Sequence, residues 1–276
     1  MMSRSMLVSL VRHAVLLLAV LFAILPILWA VRISFLPAQD VFSAQFHLLP
    51  SRWIGFENYA RAFSATPLAR YLLNGALVCV AIVVCQLAIA IPCAYALAKF
   101  DFRGRRLIWT LVLIGLIVPP PALALPLFIM AAETGLVDTY ASLVMPWTIS
   151  ALGVLLLRQA FQQVSNELIE AARLDGLDEL EILVRVLVPM IRPSIGALIM
   201  ISLVAHWNDL FWPSIVISSG AKATPPFGVM LFQVQELGSD YGPLMAGAII
   251  IAAPLLLAFL FTQHRYLDGL TWTGPK

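Results

Sequence analysis

Glu170-Ala171-Ala172-Arg173-Leu174-Asp175-Gly176-Leu177-Asp178-Glu179-Leu180-Glu181-Ile182-Leu183-Val184-Arg185-Val186-Leu187-Val188-Pro189 places seven charged side chains in twenty residues, between long apolar segments. A charged side chain in hydrocarbon costs about 3 kcal/mol or more, so this stretch must project into water while its flanks make the membrane-embedded part. Its pattern predicts helix, turn, helix. Ser165 stands where it can cap a first helix running through Asp175, and Gly176 supplies the left-handed stop. Asp178 with Glu181 makes a capping-box pair, and Pro189 is expected to end the second helix. Leu180, Leu183, Val184 and Leu187 fall at helical spacing. A short helix with such a stripe needs something to cover it.

Outward from this island the chain is apolar. Of 276 residues, 61% are hydrophobic and 12% charged, about half the charged fraction of a soluble domain. The reading is an all-α, polytopic membrane protein, a single transmembrane domain over residues 1–276. A crossing helix needs about 20 residues, and six runs qualify, at about 11–33, 71–98, 107–131, 139–158, 195–218 and 241–262. The first run continues past Pro26 without a small-residue cleavage site, which predicts a retained span rather than a signal peptide. Cys79, Cys85 and Cys93 share one apolar run and read as small packing residues.

An even number of spans puts both termini on one side. Arg4 and Arg12 precede the first span, and Lys99, Arg103, Arg105 and Arg106 crowd the link between the second and third. Both read as cytoplasmic by the excess of basic residues on that side. The charged loop, about 161–192, then lies on the cytoplasmic side too, with Arg158, Arg192, Arg265 and Lys276. On this arrangement 12 of 17 basic residues are inside, and the five outside are Arg32, Arg52, Arg61, Arg70 and Lys222. Three of those, Arg52, Arg61 and Arg70, belong to one long outer loop, about 34–70, where the charge rule is weaker, and Arg32 closes the first run just ahead of it. That loop mixes Phe42, Phe46, Trp53, Phe56, Tyr59 and Phe63 with charge and is expected to lie along the membrane surface.

Within the spans, Pro119, Pro120, Pro121 and Pro126 interrupt the third run. Proline removes a backbone donor and disfavours helix in the residue ahead of it, so a break in the helix is expected. Irregular backbone at membrane depth survives only when buried in protein or facing a water-filled cavity; this break is a candidate lining of a pathway or the start of a re-entrant tail. In the fifth run, Trp207-Asn208-Asp209 holds the one acid set well inside an apolar stretch. Asp209 is thereby a candidate pathway residue. The competing reading has Asn208 and Asp209 bonding between helices, with Trp207 and Trp212 as interfacial anchors. Gly242, Ala246, Gly247 and Ala248 open the last span with small residues suited to close helix packing.

The order Glu170-Ala171-Ala172, three residues, Gly176, nine residues, Val186, Val188, Pro189 resembles the E-A-A, x3, G, x9, I-x-L-P loop of ABC importer permeases, with Val186 for Ile and Val188 for Leu. The likeness extends to Ala94-Tyr95-Ala96-Leu97-Ala98-Lys99 with Phe102, Gly104 and Arg105, and to Leu157-Arg158-Gln159-Ala160-Phe161, Phe56-Glu57-Asn58-Tyr59 and Trp207-Asn208-Asp209. All are similar to segments of the permeases that import sugars and polyols. The tail Arg265-Tyr266 with Gly269-Leu270-Thr271 and Gly274 resembles the family ending out of register by one residue.

The resemblance implies a coupling helix in the loop between the fourth and fifth spans, docking in a cleft of a separate cytoplasmic ATPase through Glu170, Ala171, Ala172, Asp175, Gly176 and Pro189. It implies half of a translocation pathway in a bacterial inner membrane, with Trp207, Asn208 and Asp209 as pathway candidates beside Pro119, Pro120 and Pro121, which the broken backbone itself nominates. The implied partners are a second permease, two ATPase subunits, an external solute-binding protein and membrane lipid.

No G-x-x-x-x-G-K-[ST] phosphate loop is present, so ATP and Mg are expected in the partner, with no cofactor or metal in this chain and no catalytic residue. A net charge of +2 and an acidic helical loop argue against nucleic acid. An ion-coupled secondary transporter is the alternative from another class. It would need more intramembrane ionisable groups than Asp209, and often repeated halves. A permease for another solute class is the alternative within the resemblance.

Overall fold

The computed structural model describes residues 4–41, 52, 54–232 and 241–270, and every regular element among them is helical. In chain order these are α1 (Arg4–Ser34), α2 (Ala38–Val41), α3 (Glu57–Ala65), α4 (Leu68–Lys99), α5 (Arg105–Ile117), α6 (Ala124–Glu133), α7 (Tyr140–Val144), α8 (Ala151–Gln163) and α9 (Asn166–Leu174). They continue with α10 (Glu179–Glu181), α11 (Val188–Met190), α12 (Arg192–Trp207), α13 (Phe211–Val216), α14 (Pro225–Phe232) and α15 (Tyr241–Leu270). The all-helical expectation holds. Phe42, Phe46 and Trp53 of the outer loop, and Thr271, Gly274 and Lys276 of the tail, lie outside the described residues.

Three stretches can cross a membrane as single helices, Val8–Ser34, Leu68–Lys99 and Tyr241–Leu260. Three further crossings are bent pairs, which brings the total to six if each pair is one span. The sharpest bend, 104°, separates Arg105–Ile117 from Pro120–Glu133. Pro119 there is extended, at φ −70° and ψ 134°, as a residue ahead of another proline must be. The break expected at the proline run is thus present.

A second bend, 43°, separates Tyr140–Trp147, which contains Pro146, from Ala151–Gln163. Ser150 restarts the helix there by accepting the Gly153 N–H at 3.0 Å. A 78° turn between Glu179–Met190 and Arg192–Trp207 precedes the fifth run, and the run itself is broken once, stopping at Trp207 before α13 resumes at Phe211.

The chain divides into two compact units, Met1–Ala69 with Val229–Ala253, and Arg70–Gly228 with Pro254–Lys276. In the first, Asn58 is buried and its Nδ2 donates to the carbonyls of Ser34 (3.0 Å) and Leu36 (2.9 Å). It satisfies an acceptor that the end of α1 leaves open. The Tyr59 hydroxyl meets Ser34 Oγ at 2.9 Å, and Phe35 packs on Phe56 and Tyr59 with ring centroids 5.7 and 5.3 Å apart. A Cβ on Gly242 would lie 2.5 Å from Asn58 Nδ2, so glycine is required where α15 begins. In Phe56-Glu57-Asn58-Tyr59, then, Asn58 and Tyr59 fasten the turn after α1.

The second unit has one main apolar core. Ala90, Ala94, Tyr95 and Leu97 of α4 pack with Val154, Leu157 and Phe161 of α8, Leu198 of α12, and Ile169, Ala172, Ile182, Leu183 and Leu187 of the charged loop. The loop does not simply project into water. One of its faces shares a core with the ends of three membrane helices.

Candidate functional site

The charged loop is built from local rules, with two corrections. Its first helix is α9, and Ser165 stands at its N-cap position without making a side-chain bond. Lys99 Nζ anchors that end instead, donating to Val164 O at 2.6 Å and Asn166 Oδ1 at 2.8 Å. The C-terminus closes with two reversed bonds, Gly176 N–H to Arg173 O at 3.0 Å and Leu177 N–H to Ala172 O at 3.1 Å. This pair is a Schellman motif, and it requires a left-handed residue. Gly176 supplies it at φ +86°. Asp178 and Glu181 then form the expected reciprocal box, Glu181 N–H to Asp178 Oδ1 at 2.8 Å and Asp178 N–H to Glu181 Oε2 at 3.3 Å.

Pro189 does not end the second helix, which continues through α11 to Met190. Proline has no N–H to give, and its ring crowds the carbonyl four residues back, that of Arg185. The turn ahead, Ile182–Leu187, widens to π geometry and absorbs the misfit. The chain turns at Ile191, with Pro193 in the first turn of α12.

The expected stripe is divided. Leu183 and Leu187 are buried in the chain's own core, whereas Leu180 (69% exposed), Val184 (55%) and Leu174 (89%) are left open. Glu170, Ala171, Asp175 and Gly176 are exposed near them, while Ala172 is buried under Leu177 and the core. Sequence reasoning missed one link. The Tyr95 hydroxyl, on α4, donates to Glu179 Oε2 at 2.7 Å, and Arg173 Nε donates to Glu179 Oε1 at 2.7 Å. Glu179 thus joins both halves of the loop to a membrane helix, and the Arg173 bond holds its carboxyl below the usual carboxylate range, with Tyr95 adding to the effect.

The pathway candidates sit elsewhere. Trp207 lies at the far end of α12, fifteen residues from Arg192, or about 22 Å at helical rise. Trp207 and Trp212 are both buried, which corrects their reading as interfacial anchors. Asn208 and Asp209 bond locally and not between helices: Asn208 Nδ2 donates to Val204 O at 2.9 Å, and Asp209 Oδ1 accepts the Trp212 N–H at 3.2 Å. The helix-to-helix bonds come from other residues, Trp212 Nε1 to Ser142 O at 2.8 Å and Gln86 Nε2 to Trp147 O at 2.8 Å. Asn74 adds a third set, donating to Ala221 O and Ala223 O and accepting from the Tyr140 hydroxyl. An amide within an apolar run was the available signal for Asn74 and Gln86. Pro119, Pro120 and Pro121 are exposed at the 104° bend.

A second polar cluster went unforeseen. Asp138, left-handed at φ +58°, accepts from Ser218 N–H (3.2 Å), Ser219 N–H (3.0 Å), Ser219 Oγ (2.8 Å) and Lys222 Nζ (3.2 Å). These bonds, the Ser219 N–H foremost, hold its carboxyl at about 2. A depressed carboxylate stabilises above its unfolded value of about 3.9, and the contribution fades as pH falls through the folded value. The clip therefore stays charged at any neutral pH. Asp138→Asn keeps the backbone tolerance but removes the charge. It should lower stability by about 1–2 kcal/mol, read as a drop of a few degrees in the unfolding midpoint of the detergent-purified protein. An unchanged midpoint would show the clip to be idle.

This geometry defines a class: a polytopic helical membrane subunit whose charged loop is welded to the membrane helices on one face and open on the other. Residues 87–268 match the model of the binding-protein-dependent transport system inner membrane component. The chain belongs to that family, and is a permease subunit of an ABC importer rather than an enzyme. It is 30% identical over 245 residues to an arabinooligosaccharides transport system permease protein of Bacillus subtilis, covering 88% of this chain and 87% of that one. It is 28% identical over 265 residues to an sn-glycerol-3-phosphate transport system permease protein of Yersinia pestis, covering 94% of each. A crystal structure of a bacterial ABC transporter that imports the acidic polysaccharide alginate contains a chain that superposes with TM-score 0.83 at 25% identity, covering 96% and 98%. In a second structure, the alginate transporter bound to its pentasaccharide-loaded periplasmic protein, a chain shares the fold at TM-score 0.63 and 19% identity, covering 91% and 92%.

Proposed function

We propose that the loop from Glu170 to Pro189 is the docking element through which a separate cytoplasmic ATPase drives this permease, and that the solute is a carbohydrate or polyol. The observation that carries the first part is the open face made by Leu174, Leu180 and Val184 beside the exposed Glu170. Apolar side chains on a charged loop outside the hydrocarbon call for a protein cover. Because the opposite face of the same loop packs against α4, α8 and α12, a push on it is transmitted to membrane helices rather than absorbed.

The solute class is supported by the relatives, whose names span oligosaccharides and glycerol phosphate, all rich in hydroxyls. The complete importer is taken to comprise this chain, a second permease, two ATPase subunits that bind ATP and Mg, and an external solute-binding protein. Both termini and the docking loop lie on the cytoplasmic side. Alternating access follows: closure of the ATPase pair moves the loops, and the cavity between the two permeases turns outward.

Affinity purification in mild detergent tests the docking. The parent chain should bring down an ATPase, and a Glu170→Lys, Leu180→Asp double variant of equal membrane abundance should lose at least about 90% of it, since an interface charge reversal and a buried charge each cost several kcal/mol. Equal recovery by both would show that the loop is not the docking element.

A further inference from the structure

At one end of the spans, Arg105 and Arg106 at the start of α5 and Arg158 on α8 surround a cleft of about 510 Å3 that Leu97, Asp101 and Trp109 also line. We propose that this cleft binds the phosphodiester headgroup of an anionic phospholipid. It goes beyond a general basic anchor, because the site is assembled from parts distant in sequence and its guanidiniums are held in place. Arg105 Nε and Arg158 Nε both donate to the Leu97 carbonyl, each at 3.2 Å. The Arg158 guanidinium lies 4.1 Å above the Trp109 ring, which fixes its plane.

Three cations converge here, and one carboxylate opposes them: Asp101 pairs with Arg105. Its side chain is 95% exposed and leaves two positive charges uncompensated. Two guanidiniums drawn to one carbonyl repel each other, and an anion between them relieves the repulsion. The N-terminus of a thirteen-residue helix, α5, adds its own positive end.

The lipid is favoured over free phosphate by what adjoins the cleft. Leu107 (64% exposed) and Leu111 (57%) follow directly on α5, so apolar surface for acyl chains begins within one turn of the arginines. A soluble phosphate has no use for that surface.

The test uses the assembled transporter, stripped of lipid in detergent, given phosphatidylglycerol or phosphatidylcholine, and weighed intact by native mass spectrometry. The parent should retain phosphatidylglycerol through a wash that removes phosphatidylcholine. Arg105→Gln with Arg106→Gln should lower retention about thirty-fold, the factor for two basic groups at a membrane surface. Arg106→Gln alone, which leaves the Leu97 and Asp101 bonds in place, should lower it about five-fold and carries the test if the double variant does not assemble. Arg103→Gln removes the same charge from outside the lining and should change nothing. Undiminished retention in both Arg106 variants overturns the site. Equal loss in Arg103→Gln overturns it in favour of diffuse surface charge, and displacement of the lipid by millimolar inorganic phosphate overturns the lipid in favour of a phosphate site.

Discussion

Gly176→Val is expected to leave the protein in the membrane at the parent's abundance while cutting solute uptake about ten-fold or more, whereas Gly176→Asn keeps uptake within about three-fold of the parent. The contrast follows from the geometry of the turn. A Cβ added at Gly176 meets nothing within 4 Å, so the cost of a side chain is not steric contact within the chain. The cost is the backbone: at φ +86° a β-branched residue is strained by about 1–3 kcal/mol, and asparagine much less. The two bonds of the Schellman motif are the weakest part of the turn to which the strain can be passed, and their loss re-aims α9 against the helix that starts at Asp178. Membrane insertion depends on spans that contain none of these residues. Uptake by cells with quantified protein checks it. Parent-level transport by the valine variant at equal abundance would mean that the turn is not the coupling element. Equal failure of both variants would place the constraint on side-chain volume at a partner's surface instead of on φ.

The parts of this molecule that could be read from its residues were those governed by neighbours in the chain. Gly176 as a left-handed stop, the Asp178–Glu181 box and the break at Pro119 each depend on rules that act over four or five residues, and each is present. Pro189 failed because a proline can be accommodated by a wider turn as well as by a helix end, and the turn Ile182–Leu187 ahead of it is the wider kind, with Ile182, Leu183 and Leu187 buried in the core. Composition could show that an apolar stripe existed on the second helix, but not that Leu183 and Leu187 would turn inward while Leu180 and Val184 stayed open. The bonds from Tyr95 to Glu179, from Asp138 to Ser219 and from Asn74 to Ala221 span 84, 81 and 147 residues. Nothing in local sequence pairs such residues. Trp212 shows the same limit from the other side: an aromatic near a span end fits a lipid interface, and only the carbonyl of Ser142, seventy residues away, makes burial of its indole N–H affordable.

Tyr95→Phe should uncouple without unfolding: solute uptake falls about three- to ten-fold while ATP hydrolysis by the assembled transporter falls less, so more ATP is spent per solute moved. The substitution removes one oxygen from a side chain that is 4% exposed and packed on Phe100 and Phe161, leaving the apolar core filled. What is lost is a hydrogen bond to a carboxylate, worth about 1.5–3 kcal/mol and discounted here because the Glu179 side chain is 46% exposed. Arg173 still holds Glu179, so the loop keeps its own shape and only its tie to α4 is cut. Glu179→Gln should give the same uncoupling, since a neutral amide weakens both bonds. The two substitutions combined should then be no worse than the more severe single one, as for members of one network. Additive losses would show that Tyr95 and Glu179 act separately. The pH dependence separates this link from a group that titrates near neutrality. The Arg173 bond places the Glu179 carboxyl below its ordinary range, so the link is complete above the unfolded value of about 4.3 and is lost only as pH falls through the lower folded one. Solute moved per ATP should therefore be flat from about pH 6 to 8, and a titration of that ratio within this window would place the coupling on a different group.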